Sequence, residues 1–129
     1  MMNRTNLSQI KRSQKESLLL REISKLLHQL SLEDTELAGL FANRVELSKN
    51  KGMCFIYFYD PNGIESFKEK NRRLILYKPS LRKGIASALD ARYTPELKFM
   101  FDEQFDKQQR IETIIEQVKK EFKKDSTKE

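Results

Sequence analysis

The chain has 129 residues, 38% of them hydrophobic, which is enough for one modest core and predicts a single domain. A formal net charge of +6 favours a polyanionic partner and leaves RNA, DNA and membrane phosphate open. The longest apolar run, Met53–Tyr59, is far shorter than the roughly 20 residues that cross a bilayer, and the amino terminus lacks the apolar stretch of a secretory signal. We therefore expect a cytoplasmic protein without a membrane segment, in which the single Cys54 is a buried apolar side chain.

Residues 15–30 predict the first amphipathic helix. Their apolar side chains recur at helical spacing and share one face: Leu19, Ile23, Leu26, Leu27 and Leu30. The residues before them are polar, so we expect residues 1–14 to form a flexible basic tail. With a second flexible tail at 123–129, the predicted domain spans residues 15–122.

Two strands follow, joined as a hairpin. The segment LFANRVELS alternates, with Val45 and Leu47 on one face, and predicts the first strand. In the turn SKNKG, Asn50 and Gly52 occupy positions where a hairpin needs residues that tolerate positive φ. The second strand, MCFIYFY, is apolar on both faces and is therefore predicted to be central and antiparallel to the first.

A pair of helices begins after the turn DPNG. Apolar residues keep helical spacing on both sides of Pro79: Ile64, Phe67, Leu74 and Ile75, then Leu81, Ile85, Ala88 and Leu89. Proline lacks a backbone N–H and disfavours helix in the preceding residue. We therefore predict a kink at which Lys78 leaves the α region and the second helix starts at Pro79 or Ser80.

The rest of the chain predicts a third strand and a last helix. In TPELKFMFD, Leu97, Phe99 and Phe101 alternate with polar or flexible side chains, as in a half-buried strand. The last helix begins between residues 102 and 106, where acidic side chains suit a helix start, and has this apolar stripe: Ile111, Ile114, Ile115, Val118 and Phe122. The order is helix, strand, strand, helix, kink, helix, strand, helix.

Residues that would support catalysis or cofactor binding are sparse. The single histidine, His28, and the distant Cys54 do not make a metal site of ordinary composition, and the four glycines form no phosphate-binding loop. The acidic group at Asp102, Glu103 and Asp106 is explained by the helix start. We expect no enzyme activity, no cofactor and no metal; a nuclease that uses Asp102 is a distant alternative.

Basic residues are concentrated on the two arms of the kink. Between residues 71 and 83 the chain has no acidic residue and five basic ones: Arg72, Arg73, Lys78, Arg82 and Lys83. Each could neutralise one phosphate, and the kink would bring both cationic faces together. The alternative is that they only solvate two helix faces. The second strand also places Met53, Phe55, Tyr57 and Tyr59 on one face, where they would stack on unpaired bases or pack in the core.

Several motifs together resemble the bacterial ribosome-binding factor A family. These are VELSKNKGMCFIYFY, the kinked helix pair, and ARYTPELKFMFDE ahead of a helix that contains RIETII. The residues that match the family's block before the last helix are Arg92, Pro95, Glu96, Leu97, Phe99 and Asp102. The resemblance runs from about residue 15 to residue 118.

The resemblance implies an α+β, type II KH-like fold, with a three-stranded sheet backed by helices, a helix-kink-helix and an extra C-terminal helix. In the family the kink contains an Ala-x-Gly-like element; here Tyr77, Lys78 and Pro79 stand there. It implies a non-catalytic factor that binds the small (30S) ribosomal subunit and its 16S rRNA, assists maturation and 5′-end processing of that RNA, and matters for growth in the cold.

We assign RNA binding to the five basic residues of the kink and to Arg92, and we expect a monomer with no small-molecule substrate and no membrane contact. The alternative is a protein-interaction module that docks through the aromatic strand or the last helix, with no specific RNA role.

Overall fold

The structure, a computed structural model, describes the backbone of residues 4–89 and 94–127 and the side chains of residues 9–88 and 94–123. In chain order its elements are α1 (Arg4–Glu33), β1 (Phe41–Leu47), β2 (Met53–Tyr59), α2 (Ile64–Leu74), α3 (Lys78–Leu89), β3 (Glu96–Phe101) and α4 (Glu103–Thr127). Short 3-10 helices occupy Thr35–Leu37 and Ile75–Tyr77. The α+β class and the order of elements are as predicted.

Helix α1 is longer than predicted. It begins at Arg4 and not near Lys15, because the polar residues before Lys15 include no proline or glycine to stop it. Its apolar face buries Leu19, Ile23 and Leu27. The division into a domain at 15–122 with flexible tails stays a prediction.

The sheet has the order β1-β2-β3, with β1 antiparallel and β3 parallel to the central β2. This confirms the predicted hairpin and the central position of β2. The hairpin turn differs in one detail, since the positive φ of 60° belongs to Lys51 and not to Asn50 or Gly52. The Asn50 side chain instead closes the turn, because its Oδ1 accepts hydrogen bonds from Gly52 N (2.9 Å) and Ser48 Oγ (2.7 Å).

The hydrophobic core lies between one face of the sheet and helices α1, α2 and α3. The largest fully buried side chains in the described part of the chain include Leu19, Ile23, Ile56, Phe58, Leu74, Leu81, Ile85 and Leu97. Cys54 is buried among them, as predicted, and burial together with the Glu16 carboxylate raises the pKa of its thiol to about 12. On the other face of the sheet, Met53, Phe55 and Tyr57 are half-buried.

The two central helices meet in the segment 72–83, which we call the elbow. The prediction that Lys78 leaves the α region is wrong: its φ of −53° and ψ of −46° are helical, and α3 begins at Lys78. The break comes earlier, because Pro79 has no N–H for the Ile75 carbonyl, which accepts the Lys78 N–H in a 3-10 turn instead. With about 3.0 residues per turn instead of 3.6, this turn rotates Ile75 outward, where it is 48% exposed.

Helix α4 starts at the predicted acidic residues. Asp102 Oδ1 accepts the Phe105 N–H at 3.1 Å, and the Phe105 ring packs against Tyr59 with centroids 4.7 Å apart. From Arg110 to Lys123 every side chain is exposed. Four members of the predicted apolar stripe, Ile111, Ile114, Ile115 and Val118, are 48% to 58% exposed. Within the described ranges, none of the helices combines the length and apolarity needed to cross a bilayer.

Candidate nucleic-acid interface

Three buried carboxylates hold the loops between helices and strands. Asp34 follows α1, Asp60 follows β2 and Asp102 follows β3, and each is at most 7% exposed. The cations that bind them are, in the same order, Arg73, Lys70 and Arg44. Because a buried carboxylate is costly without a partner, these three cations are part of the fold.

The Asp34 cluster ties the elbow to the loop after α1. Asp34 Oδ2 accepts hydrogen bonds from Arg73 Nε and from the Tyr77 hydroxyl (2.9 Å), and Arg73 Nη1 lies 3.0 Å from Glu36 Oε2. The hydrogen bond from Arg73 outweighs burial and holds the pKa of Asp34 below its usual value. Arg73, which was predicted to bind RNA, and Tyr77, which was predicted to stand at the kink, therefore both have an intramolecular role.

The other two clusters lie at one end of the sheet, where β2 and β3 end and β1 begins. Lys70 Nζ lies 3.0 Å from Asp60 Oδ2 and donates to the Ala38 carbonyl at 2.8 Å. Asp102 Oδ2 accepts from Asn43 Nδ2 (2.9 Å) and Arg44 Nε (3.0 Å). Burial alone would raise the pKa of Asp102, but the hydrogen bonds from Asn43, the amide of residue 105 and Arg44 hold it below its usual value.

The outward side of the elbow carries a surface with two cations and an apolar centre. Its exposed residues, which we call the elbow surface, are Arg72, Ile75, Leu76, Pro79, Ser80 and Lys83. Leu76, at 76% exposed, lies between the two cations along the helix. Arg72 and Lys83 make no ion pair with any side chain that the structure describes, so both are available to a phosphate.

The remaining predicted cations are held in different ways. Lys78 Nζ lies over the Phe99 ring, 5.4 Å from its centroid. Arg82 donates to the Thr94 carbonyl (3.3 Å) and lies 3.5 Å from Glu96 Oε2, with its side chain 42% exposed. Arg92 falls outside the described residues.

Arg73 and Arg82 point to opposite corners of the sheet. Arg73 binds the loop ahead of β1, whose first residue pairs with Tyr59, whereas Arg82 binds Glu96, which pairs with Met53 at the other end of β2. The two arms therefore do not join all five cations in one patch. The pair that the elbow surface presents is Arg72 and Lys83.

The structure also contains an open groove of about 490 Å³ beside β3, which the sequence did not predict. Its lining includes Tyr57, Phe67, Lys68, Lys98 and Met100. The groove offers aromatic and apolar surface with two lysines at its rim. No cluster of metal-ligating side chains occurs among the described residues.

These features define a class. The chain is a small α+β protein with a KH-like three-stranded sheet, a broken helix pair between the parallel strands β2 and β3, and exposed cations at the elbow. A family model for ribosome-binding factor A matches residues 11–115, and the chain belongs to that family.

Individual relatives agree with this assignment. Ribosome-binding factor A of Wolinella succinogenes is 35% identical over 113 residues, which cover 87% of this chain and 93% of the relative. The Geobacter sp. (strain M21) protein of the same name is 30% identical over 112 residues, covering 84% and 92% of the two chains. The crystal structure of ribosome-binding factor A from Thermus thermophilus superposes with a TM-score of 0.60 over 70% of this chain and 94% of that one, at 24% identity, and so supports the fold.

Proposed function

We propose that the protein binds the small (30S) ribosomal subunit and its 16S rRNA, and assists maturation of the subunit and 5′-end processing of that RNA without catalysing a reaction. We expect the protein to act in the cytoplasm and to matter for growth in the cold. The observation that carries the proposal, beyond membership of the family, is the elbow surface, because Arg72 and Lys83 are exposed, lie in a region without acidic residues and form no ion pair with a described side chain. Lys78 and Arg82 support them as partly exposed cations.

The role of each cation follows from its partners. Arg72 and Lys83 would neutralise phosphates directly, since neither would have to leave an ion pair with a described side chain. Arg73 would first have to leave Asp34, a carboxylate that burial makes costly to strand. Leu76 and Pro79 lie between Arg72 and Lys83 and make the centre of the elbow surface apolar, which suits the face of a base or sugar better than a phosphate.

The test is co-sedimentation with free small subunits as salt is varied. Arg72→Glu combined with Lys83→Glu is expected to lower the affinity at least about tenfold at 0.1 M salt and to make the plot of log K against log salt shallower by about 1.5, since two phosphate contacts are lost. Thermal unfolding should stay unchanged, because both side chains are exposed. Unaltered binding and an unaltered slope would refute the elbow surface as the RNA site.

The matched control makes the same change in net charge elsewhere. Lys107→Glu with Lys120→Glu alters two exposed lysines of α4 and should leave the affinity close to that of the wild type. Equal losses in both double variants would mean that net charge, and not the elbow surface, determines binding. Arg73→Met is a further control, expected to lower stability more than affinity.

A second candidate function is docking to a protein through β2 or α4. The groove beside β3 and the exposed side chains of α4 favour it. Binding by this route would survive salt that screens phosphates and would be lost in Phe55→Ala or Tyr57→Ala, whose side chains are half-buried on the open sheet face. Binding that is lost in high salt and unaffected by those variants would exclude it.

A further inference from the structure

One face of α4 carries apolar side chains that the described part of the fold leaves exposed. Its members are 48% to 58% exposed and recur at i, i+3, i+4 and i+7; we call them the α4 stripe: Ile111, Ile114, Ile115 and Val118. Such a stripe is the contact face of a helix that packs on another helix. Beyond Phe105 the helix has little contact with the body, and a helix without tertiary packing is marginal in water.

The charges of α4 argue against RNA as the occupant of the stripe. Between Glu103 and Lys123 the helix has equal numbers of acidic and basic side chains: Glu103, Asp106, Glu112, Glu116 and Glu121 against Lys107, Arg110, Lys119, Lys120 and Lys123. A polyanion gains little from a balanced surface. A second apolar helix with charges of the complementary arrangement is the better partner.

The charges that flank the stripe are complementary to themselves. At about 100° per residue, Arg110 and Glu121 lie on one side of the stripe, while Glu112 and Lys119 lie on the other. When two copies of α4 are placed antiparallel about a two-fold axis between residues 115 and 116, residue 110 of each copy faces residue 121 of the other, on the same side. Residues 112 and 119 face each other in the same way, so all four flanking charges meet opposite charges.

The same register also interleaves the apolar side chains. In this register, residue 111 of one copy lies level with residue 120 of the other, and residues 114, 115 and 118 lie level with residues 117, 116 and 113. The apolar side chains of each copy therefore lie between those of the other, as in helix pairs with interlocking side chains. Arg110 already lies 3.1 Å from Asp106 one turn earlier, with 74% of its side chain exposed, and so can reach a second carboxylate without losing the first.

We propose that α4 pairs with α4 of a second copy of the chain, antiparallel and two-fold symmetric, through the α4 stripe. The surface buried by one helix face is smaller than the roughly 800 Å² per partner of a standard interface, so the dimer is weak and depends on concentration. This revises the expectation of a monomer: dilute protein is monomeric and associates as its concentration rises.

Sedimentation equilibrium of the full chain from micromolar to millimolar concentration tests the association. The wild type is expected to approach twice the mass of one chain, and Ile115→Asp to remain monomeric throughout. Glu112→Lys and Lys119→Glu each create two like-charge contacts and should raise the dissociation constant about tenfold, whereas the double swap restores opposite charges and the affinity. Lys120→Glu, on the far side of the helix, is the matched control and should change nothing.

Two cysteine variants test the orientation. Two copies of residue 115 lie within about 1.5 Å of the same level in the antiparallel pair, whereas two copies of residue 118 are separated by about 7.5 Å along the axis, too far for a disulfide. Ile115→Cys should therefore cross-link under mild oxidation and Val118→Cys should not; the native Cys54 is buried and does not interfere. A monomeric wild type at all concentrations, a dimer that persists in Ile115→Asp, failure of the double swap, or cross-linking through Val118→Cys would each overturn the proposal.

Discussion

The Asp102 carboxylate joins β1, β3 and α4, and its removal gives the sharpest test of the fold. Its Oδ1 caps α4 through the Phe105 N–H, while its Oδ2 accepts from Asn43 and Arg44. The cap contributes about 1 kcal/mol, and the hydrogen bond from Asn43 about 1 kcal/mol. The Arg44 side chain is 37% exposed, so solvent screening limits that ion pair to about 1 kcal/mol. Asp102→Ala should therefore lower the free energy of unfolding by about 3 kcal/mol.

Asp102→Asn separates these contributions. Asparagine caps a helix as well as aspartate does, so with its oxygen toward Phe105 the cap remains, but its amide then faces the donors of Asn43 and Arg44. We expect a loss of about 2 kcal/mol, between the wild type and the alanine variant. Urea denaturation followed by circular dichroism measures both, with the exposed neighbour Glu103→Gln as a control that should stay within about 0.5 kcal/mol. An Asp102→Asn protein as stable as the wild type would refute the reasoning.

Three further predictions concern stability. The pKa values of Asp34, Asp60 and Asp102 are lowered in the folded state, so the unfolded chain binds more protons in acid. The free energy of unfolding should therefore be constant above about pH 5 and decrease below about pH 4. The decrease should be less steep in Asp102→Asn, which lacks one of the three carboxylates. Lys70→Met leaves the fully buried Asp60 without its cation and should cost about 3 kcal/mol in urea denaturation at neutral pH; a loss below about 1 kcal/mol would contradict this role. Gly63 has φ 98° and ψ −178°, a region that side chains rarely adopt, so Gly63→Ala should cost about 1–3 kcal/mol in urea denaturation, although no described atom lies within 4 Å of the added Cβ.

The sequence predicted local structure better than it predicted contacts. The pattern of apolar residues in a strand reflects which of its faces are buried. Because β1 and β3 alternate and β2 is apolar on both faces, the hairpin and the central position of β2 were predictable. The conformation of Lys78 was not, because the preference of a residue before proline is small beside the packing of Leu74 and Leu81, which fixes both arms. The hydrogen bond from Arg73 to Asp34 was not predictable, because the two residues are 39 positions apart in the sequence. The prediction considered only the charges between residues 71 and 83, and that segment does not include Asp34.

The fold thus separates two kinds of surface. Cations that contact buried carboxylates hold the loops, whereas Arg72 and Lys83 of the elbow surface face outward from α2 and α3. The apolar α4 stripe lies on the helix that follows β3. Because the two surfaces share no residue, their effects should add. Ile115→Asp should abolish self-association and leave the salt dependence of subunit binding unchanged, and Arg72→Glu with Lys83→Glu should do the reverse. If the combined variant instead bound subunits more weakly than the elbow variant alone by more than about threefold, α4 would contact the subunit as well, and the two surfaces would be parts of one site.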